Sequence, residues 1–370
     1  MRYVTLGDVC KKASSNIAQK DILSNDGKYP IYGASGLIKT VDFYHQEQAY
    51  IAIVKDGAGV GRTMLLPEHS SVIGTMQYII PKELVDIKYL YYAIVHMDLA
   101  KYYMGAAIPH IYFKDYQKEP LKLPLLSEQK RIAAIFEKID SIIEYRNSQL
   151  AQLEQVVKSR FIELFGTYPS NPMGWECGTI RDIAADVRYG SSRPAVDGGK
   201  YPYLRMNNIT YGGELDLTDT KRIDVPENEL DKCTVRRGDV QFNRTNSKEL
   251  VGKTCVYNRD EMMVLAGFVI RVRVTERVLP EFLSAFLNTD FSKQMLLGMC
   301  KTAIGQANIN AQEMQNIGLY LPPLELQRLF AQFKEQTDKS KYYSRLSLAL
   351  CRVSATLFGQ EWMKCQTSNS

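Results

Sequence analysis

Three short runs in the second half of the chain gather polar and basic side chains beside glycines. They are Arg188-Tyr189-Gly190-Ser191-Ser192-Arg193, Arg205-Met206-Asn207-Asn208 and Asn243-Arg244-Thr245-Asn246-Ser247-Lys248. Arg and Lys can bond the guanine edge and Asn or Gln the adenine edge, while Ser, Thr and main-chain amides grip phosphate. The first half offers Tyr32-Gly33-Ala34-Ser35-Gly36, Lys55-Asp56-Gly57, Arg62 and His110. The candidate DNA-contacting set is therefore Tyr32, Ser35, Lys55, Arg62 and His110 in the first half. In the second half it is Arg188, Ser191, Arg193, Arg205, Asn207, Asn243, Arg244, Asn246, Lys248, Gln306 and Asn308. Any one such turn, taken alone, reads more readily as solvated surface than as a base contact; recurrence at equivalent places in a repeated module is what favours contact.

Catalytic lookalikes fail on spacing. Gly57-Ala58-Gly59-Val60-Gly61-Arg62-Thr63 resembles a phosphate loop, but the position of the first required glycine is Asp56 and Arg62 replaces the lysine. Gly252-Lys253-Thr254 has the right ending, with Ser247 where that glycine would stand. Asp86-Ile87-Lys88 and Asp219-Thr220-Lys221 mimic the tail of a metal-dependent nuclease motif without a partner acid upstream. Asn171-Pro172-Met173-Gly174 lacks the second proline and the aromatic of an adenine-methyltransferase loop and reads as a linker. The seven cysteines are scattered singly and the four histidines share no ligand-like spacing. No catalytic residue and no metal ligand is assigned. The formal charge of +5 is compatible with a polyanionic partner. With no leader-like segment and no apolar run near membrane-spanning length, a cytoplasmic protein without membrane association is expected.

What must position these side chains is a duplicated architecture. Leu123-Pro124-Leu125-Leu126-Ser127-Glu128-Gln129 returns as Leu321-Pro322-Pro323-Leu324-Glu325-Leu326-Gln327, and the same offset aligns His110-Ile111 with Asn308-Ile309. Thr5-Leu6-Gly7-Asp8-Val9 returns as Thr179-Ile180-Arg181-Asp182-Ile183, and Leu164-Phe165-Gly166 as Leu357-Phe358-Gly359. Three echoes in one order amount to a repeat. The offset grows along the chain, so the second copy carries an insertion.

Each copy has two parts. The first mixes strands, such as Tyr50–Val54 and Gly267–Val274, with helical spacing around Tyr89–Ile94 and Pro280–Leu287. The second is a long helix. Ser127 to Phe165 contains neither Pro nor Gly, with apolar residues every three or four positions, and Gly166 suits its C-terminal cap. The counterpart runs from Glu325 to Phe358, with a stripe through Leu326, Leu329/Phe330, Phe333, Tyr343, Leu346, Leu350, Val353 and Leu357. Helices of roughly 50–58 Å, at about 1.5 Å per residue, need a partner of equal length to bury such stripes. The expected fold is α+β: two tandem mixed α/β domains, each followed by a long helix, the helices packing as an antiparallel coiled coil.

The ordered set of motifs resembles the specificity subunits of type I restriction–modification enzymes from end to end. The likeness rests on Lys28-Tyr29-Pro30-Ile31-Tyr32-Gly33-Ala34-Ser35-Gly36, Asp56-Gly57-Ala58-Gly59-Val60-Gly61 and Lys200-Tyr201-Pro202-Tyr203-Leu204-Arg205-Met206-Asn207-Asn208-Ile209. Arg237-Gly238-Asp239-Val240-Gln241-Phe242-Asn243-Arg244 and Leu250-Val251-Gly252-Lys253-Thr254 complete it. Copy one departs most at Ala107-Ile108-Pro109-His110-Ile111, against Gly305-Gln306-Ala307-Asn308-Ile309 in copy two.

The resemblance implies a target-recognition domain over 1–125, a spacer helix and linker over 126–170, a second target-recognition domain over 171–323, and a C-terminal spacer helix and tail over 324–370. It implies a non-catalytic subunit that recognises a bipartite site in double-stranded DNA. Two DNA adenine methyltransferase subunits and motor-nuclease restriction subunits would assemble on it. This chain would hold no cofactor, S-adenosylmethionine, ATP and Mg being expected in the partner subunits. Two alternatives stand beside this: a self-contained DNA methyltransferase or nuclease with a drifted signature, and a coiled-coil protein-interaction adaptor.

Overall fold

The computed structural model describes residues 2–105, 109–303 and 306–363. They form two compact units, Met1–Asn147 with Arg345–Ser370, and Ser148–Ser344. Two 40-residue helices, Leu126–Phe165 and Leu324–Met363, are each divided between the units.

The units repeat one plan. In the first, strands Cys10–Ser14, Met76–Pro81, Tyr50–Val54 and Thr63–Leu66 form an antiparallel sheet in that order. In the second, Ala184–Tyr189, Val269–Val274, Val240–Asn243 and Thr254–Val256 form its counterpart in the same order. A second sheet in each unit contains a parallel pair, Tyr29–Gly33 beside Ser71–Val72, and Tyr201–Leu204 beside Met263–Leu265. Strand Tyr50–Val54 is therefore equivalent to Val240–Asn243, and Val269–Val274 to Met76–Pro81. Most of the insertion in copy two lies before Val240–Asn243, where the turn Met206–Asn208 and the helix Glu227–Cys233 have no equivalent after Tyr29–Gly33.

The echoed residues have echoed work. The amide and hydroxyl of Thr5 donate to Asp8 at 2.7 and 2.8 Å, and those of Thr179 donate to Asp182 at the same two distances. Each pair closes the start of a four-residue helix. The strand before that helix, Arg2–Thr5 or Glu176–Thr179, pairs antiparallel with the strand leading into the long helix, Pro120–Leu123 or Gly318–Leu321.

Gln129 and Gln327, both fully buried, then tie the long helix to the domain. The Gln129 Oε1 accepts from the Asp86 amide at 2.7 Å, and its Nε2 donates to the carbonyls of Pro124 at 2.9 Å and Leu84 at 3.3 Å. The Gln327 Oε1 accepts from the Leu279 amide at 2.7 Å, and its Nε2 donates to the carbonyls of Pro322 at 2.8 Å and Arg277 at 3.4 Å. Asp86 and Leu279 are the N-cap residues of helices Ile87–His96 and Pro280–Leu287, so one glutamine satisfies the entry to two helices.

Each unit also packs one long helix on the other, antiparallel. In the first unit the Phe136 and Phe358 rings lie 5.2 Å apart, and the Lys122 amine donates to the Glu361 carbonyl. In the second, Ser344 donates to Gln149 at 3.1 Å, while Phe330 meets Phe161 at 5.4 Å. The first helix ends as its sequence indicates: Gly166 adopts φ +79°, its amide donates to the Ile162 carbonyl at 2.7 Å, and a Cβ there would strike Pro172 at 2.5 Å.

The second helix departs from expectation. Its apolar stripe was to be buried throughout, yet Tyr343, Leu346, Leu350, Val353 and Leu357 are 46–69% exposed. Beyond Gln327 the buried positions are Phe330, Thr337, Lys341, Ser344, Leu348 and Gly359, which keep to the face of Phe330 at helical spacing. The polar stretch Glu335–Ser340 hides that continuation from a search for large apolar residues.

Replacing Gln129 or Gln327 with Met keeps the volume and leaves a buried amide and two carbonyls unpaired. Each substitution should cost about 2–4 kcal/mol in denaturant unfolding; a loss within about 0.5 kcal/mol would show the clamp to be incidental.

Candidate nucleic-acid interface

The candidate residues of the first unit converge on the end of strand Tyr50–Val54. The Val54 amide donates to the Arg62 carbonyl at 2.9 Å, and the Arg62 Nη1 donates to the Ala34 carbonyl at 2.7 Å. Arg62 thus holds the turn that presents exposed Ser35 beside half-buried Tyr32. Lys55 follows the strand directly, and its carbonyl accepts from the Ile111 amide at 3.0 Å. His110 lies next to Ile111, contacts Asp56 through Nδ1, and sits 4.1 Å from the Tyr112 ring. The Lys114 amine lies 5.1 Å from the same Tyr112 ring.

The second unit repeats the arrangement at the end of Val240–Asn243. Arg244 follows that strand directly, and its carbonyl accepts from the Ile309 amide at 2.9 Å. Lys55 and Arg244 are therefore structural equivalents, as are His110 and Asn308. Strand Thr245–Asn246 pairs with Gln306–Asn308, and the Thr245 hydroxyl donates to the Asn308 Oδ1 at 3.0 Å. Asn246 uses its Oδ1 to accept from the Ser247 amide, and Lys248 is exposed beyond it. The Gln306 backbone belongs to the pairing strand, and its side chain lies outside the described residues.

Charge divides the arginines. Arg193 grips Glu229 through two nitrogens, at 3.2 and 2.8 Å, and these hydrogen bonds raise its pKa. Arg205 holds the Asp219 carboxylate at 2.9 Å, and Arg188 holds Asp186 at 2.9 Å. Burial pushes the Asp186 carboxyl up, but hydrogen bonds from Arg271 and Arg188 outweigh it and leave the pKa below its ordinary value. Arg244 differs: no carboxylate reaches it among the described residues. Its guanidinium lies 5.0 Å from the Tyr189 ring, and its Nε is buried without a partner.

Two candidates sit elsewhere than on open turns. Asn243 is fully buried at the end of its strand, with both amide atoms unpartnered. Asn207 is exposed on the turn Met206–Asn208, a turn that buried Asn208 pins by donating to the Asp216 and Asp219 carbonyls. Ser191 is buried, its backbone bridging Ala266 and its hydroxyl accepting from the Arg193 amide at 3.2 Å. Asn243 and Ser191 are thus part of the buried scaffold, and Asn207 stays on the surface.

Two residues beside Arg244 were not among the candidates. Tyr189 is 44% exposed and supplies the stacking face, and Phe268 is 52% exposed with its carbonyl accepting from the Arg244 amide at 3.0 Å. A large exposed aromatic on rigid backbone beside an uncompensated arginine suits stacking on bases. In sequence nothing separates them from the core aromatics around them.

The lookalike motifs also resolve. Gly57–Thr63 joins two antiparallel strands, whereas a phosphate loop runs from strand to helix. The Lys253 amine is buried and donates to the Met206 carbonyl at 2.9 Å. Asn171 closes the 171–175 turn on Trp175 at 2.8 and 2.9 Å, as a linker would.

Comparison with known proteins gives a consistent result. A family model described as type I restriction modification DNA specificity domain matches residues 1–155 and 172–342. The EcoKI type I restriction enzyme specificity subunit of Escherichia coli K12 is 26% identical over 251 residues, covering 63% of this chain and 53% of that protein. The MjaVIII specificity subunit of Methanocaldococcus jannaschii is 26% identical over 312 residues, covering 78% and 72%. The chain thus spans about half the length of the E. coli relative, and 40% of the putative MjaX subunit from M. jannaschii. Among solved structures, the S subunit of a type I system from M. genitalium matches with a TM-score of 0.60 at 14% identity, over 99% of this chain and 96% of that one. A chain from a study of complex assembly and conformational transition in the type I system gives 0.56 at 17%, over 98% and 97%. At these identities the structural matches establish the fold alone, an α+β architecture.

Arg244→Ala should weaken duplex DNA binding about tenfold or more, because it removes an uncompensated guanidinium from the candidate interface. Arg193→Ala, which breaks an internal ion pair, should change it less than about threefold. Equal losses in a salt-matched binding assay would contradict this division of the arginines.

Proposed function

The chain belongs to the family defined by the type I restriction modification DNA specificity domain, and from that membership we propose that it is the non-catalytic subunit that reads DNA for a restriction–methylation complex. One observation carries the reading. Lys55 and Arg244 occupy the same place in the two units, each immediately after the equivalent strand and each held by the amide of the equivalent isoleucine. A basic residue whose backbone is held twice in one frame is what reading two half-sites requires.

Each unit reads one half of a bipartite site in double-stranded DNA. The length of uninterrupted helix between the reading edges sets the unread gap. The partners are DNA adenine methyltransferase subunits, two of them, and motor-nuclease restriction subunits. S-adenosylmethionine, ATP and Mg belong to those partners, and the complex works in the cytoplasm. The exposed row Leu346, Leu350, Val353 and Leu357 supports recruitment, since four large apolar side chains spaced by three and four residues form a seam suited to another helix.

Methylated adenines should be mapped in a host carrying this chain and its methyltransferase partner. The expected result is one bipartite motif. Lys55→Ala should relax one half and Arg244→Ala the other; relaxation of both halves by either substitution would contradict the modular reading. Four residues inserted into each long helix, about one turn, should lengthen the gap, and an unchanged gap would remove the spacer role. Leu350→Asp should abolish co-purification with the methyltransferase while leaving the thermal melt intact. Methyl transfer by the purified chain alone would overturn the non-catalytic reading.

A further inference from the structure

Phe268 and Tyr189 hold large rings in solvent at one end of the main sheet of the second unit. Both lie beside Arg244. The register sets Asn243 opposite Val269, so Arg244 falls opposite Phe268, and its amide donates to the Phe268 carbonyl at 3.0 Å. Tyr189 pairs with Ile270, two positions further along the same chain segment. The backbone under Phe268 is held on both sides as well. The Gly267 amide donates to the Ser191 carbonyl at 2.7 Å and the Val269 amide to the Ala266 carbonyl at 2.9 Å. Gly190 packs so closely on this turn that a Cβ would meet the Leu265 and Ala266 carbonyl oxygens at 2.2 and 2.4 Å. Tyr189 is fixed too: its hydroxyl accepts from the Ala311 amide at 2.8 Å while its ring carries the Arg244 guanidinium.

The first unit has the same frame without the rings. The Lys55 amide donates to the Thr75 carbonyl at 3.0 Å, as that of Arg244 does to Phe268. Ser14 pairs with Gln77 as Tyr189 does with Ile270. Thr75 and Ser14, both exposed, therefore stand where the second unit has Phe268 and Tyr189. The scaffold works with small polar residues at both places, so the two rings answer to something outside it.

Apart from the thymine methyl, the groove edges of base pairs present hydrogen-bond donors and acceptors, to which a phenyl ring offers nothing. Such a ring gains from base faces, and a duplex opens those only where two neighbouring base pairs are unstacked. Resting on the DNA-reading function above, we propose that Phe268 is a wedge that enters the second half-site between two adjacent base pairs. Arg244, braced on Tyr189, then holds the phosphate or guanine edge beside the opened step. Opening costs least where a pyrimidine is followed by a purine, so the half-site read by the second unit contains a TA, CA or TG step at the point of entry. The first unit, with Thr75 in that place, has no wedge there.

The test uses the full chain with its methyltransferase partner, without S-adenosylmethionine, on duplexes carrying the motif found by methylation mapping. The half relaxed by Arg244→Ala is the one to probe. Aminopurine, a fluorescent base quenched by stacking, replaces each of its purines in turn except the adenine that becomes methylated. Fluorescence should rise at one step on binding. The rise should vanish in Phe268→Thr and persist in Phe268→Leu, since a branched aliphatic side chain also wedges. Phe268→Thr should weaken binding about tenfold. A duplex lacking one base at that step should bind the unsubstituted chain at least about fivefold more tightly, because it is already unstacked, and should give Phe268→Thr no such gain. Binding without a fluorescence change anywhere in that half, or a half-site with no pyrimidine–purine step, would overturn the wedge and leave DNA reading standing. No binding to the motif at all would overturn the reading itself. If replacing a thymine of that half with uracil costs as much as Phe268→Thr, the ring is a methyl contact; if Phe268→Thr loses the methyltransferase at unchanged DNA affinity, it is a protein contact. Either result overturns the proposal.

Discussion

A buried amide at the root of each long helix is the interaction on which the rest of the molecule depends. Gln129 and Gln327 each accept one backbone amide and donate to two carbonyls, joining the end of a strand, the start of a long helix and the cap of a neighbouring helix. Because all three groups are out of water, each bond is made in a low dielectric and any vacancy is expensive. The direction in which the long helix leaves the domain is thereby tied to the core. A side chain of another length cannot meet all three partners.

The same logic of satisfied polar groups separates scaffold from surface at the reading edges. Arg193, Arg205 and Arg188 find carboxylates within the second unit and shape its loops. Arg244 does not, and the Tyr189 ring holds it in place without neutralising it. A cation oriented by an aromatic face keeps its full attraction for phosphate or a guanine edge. Lys55 has the equivalent station in the first unit, beside His110 and Tyr112, so the chain carries two edges of similar build and different chemistry. Different side chains in one frame are what the proposed reading of two half-sites requires.

Much of this was legible in the residues. The repeat, the two long helices and the cap at Gly166 follow from spacing and residue type, whereas the meeting of Thr245–Asn246 with Asn308 is seen only in the pairing of their strands. The loops were less legible. Arg193 and Arg205 look like Arg244 on paper, since their carboxylate partners Glu229 and Asp219 stand 36 and 14 positions away and no periodicity connects them; only Arg188 has its partner, Asp186, at the two-residue spacing of one strand face. Asn243 sits one residue from Arg244 and faces the interior, because strand Val240–Asn243 is buried at every position and Arg244 lies just beyond its end. Phe268 comes to Arg244 only through a turn between two strands.

The second long helix draws the boundary most clearly. Its sequence determined that it is helical and that it carries an apolar row, Tyr343, Leu346, Leu350, Val353 and Leu357, because a spacing of three and four places those residues on one face. Only the tertiary structure decided which face is covered. Phe330 is locked into the core of the second unit, and a continuous helix carries that rotational setting forward to Thr337, Lys341, Ser344 and Leu348. Local spacing records the relative angles of side chains around an axis. The absolute angle is set where the helix is anchored, and here it turns the apolar row toward solvent.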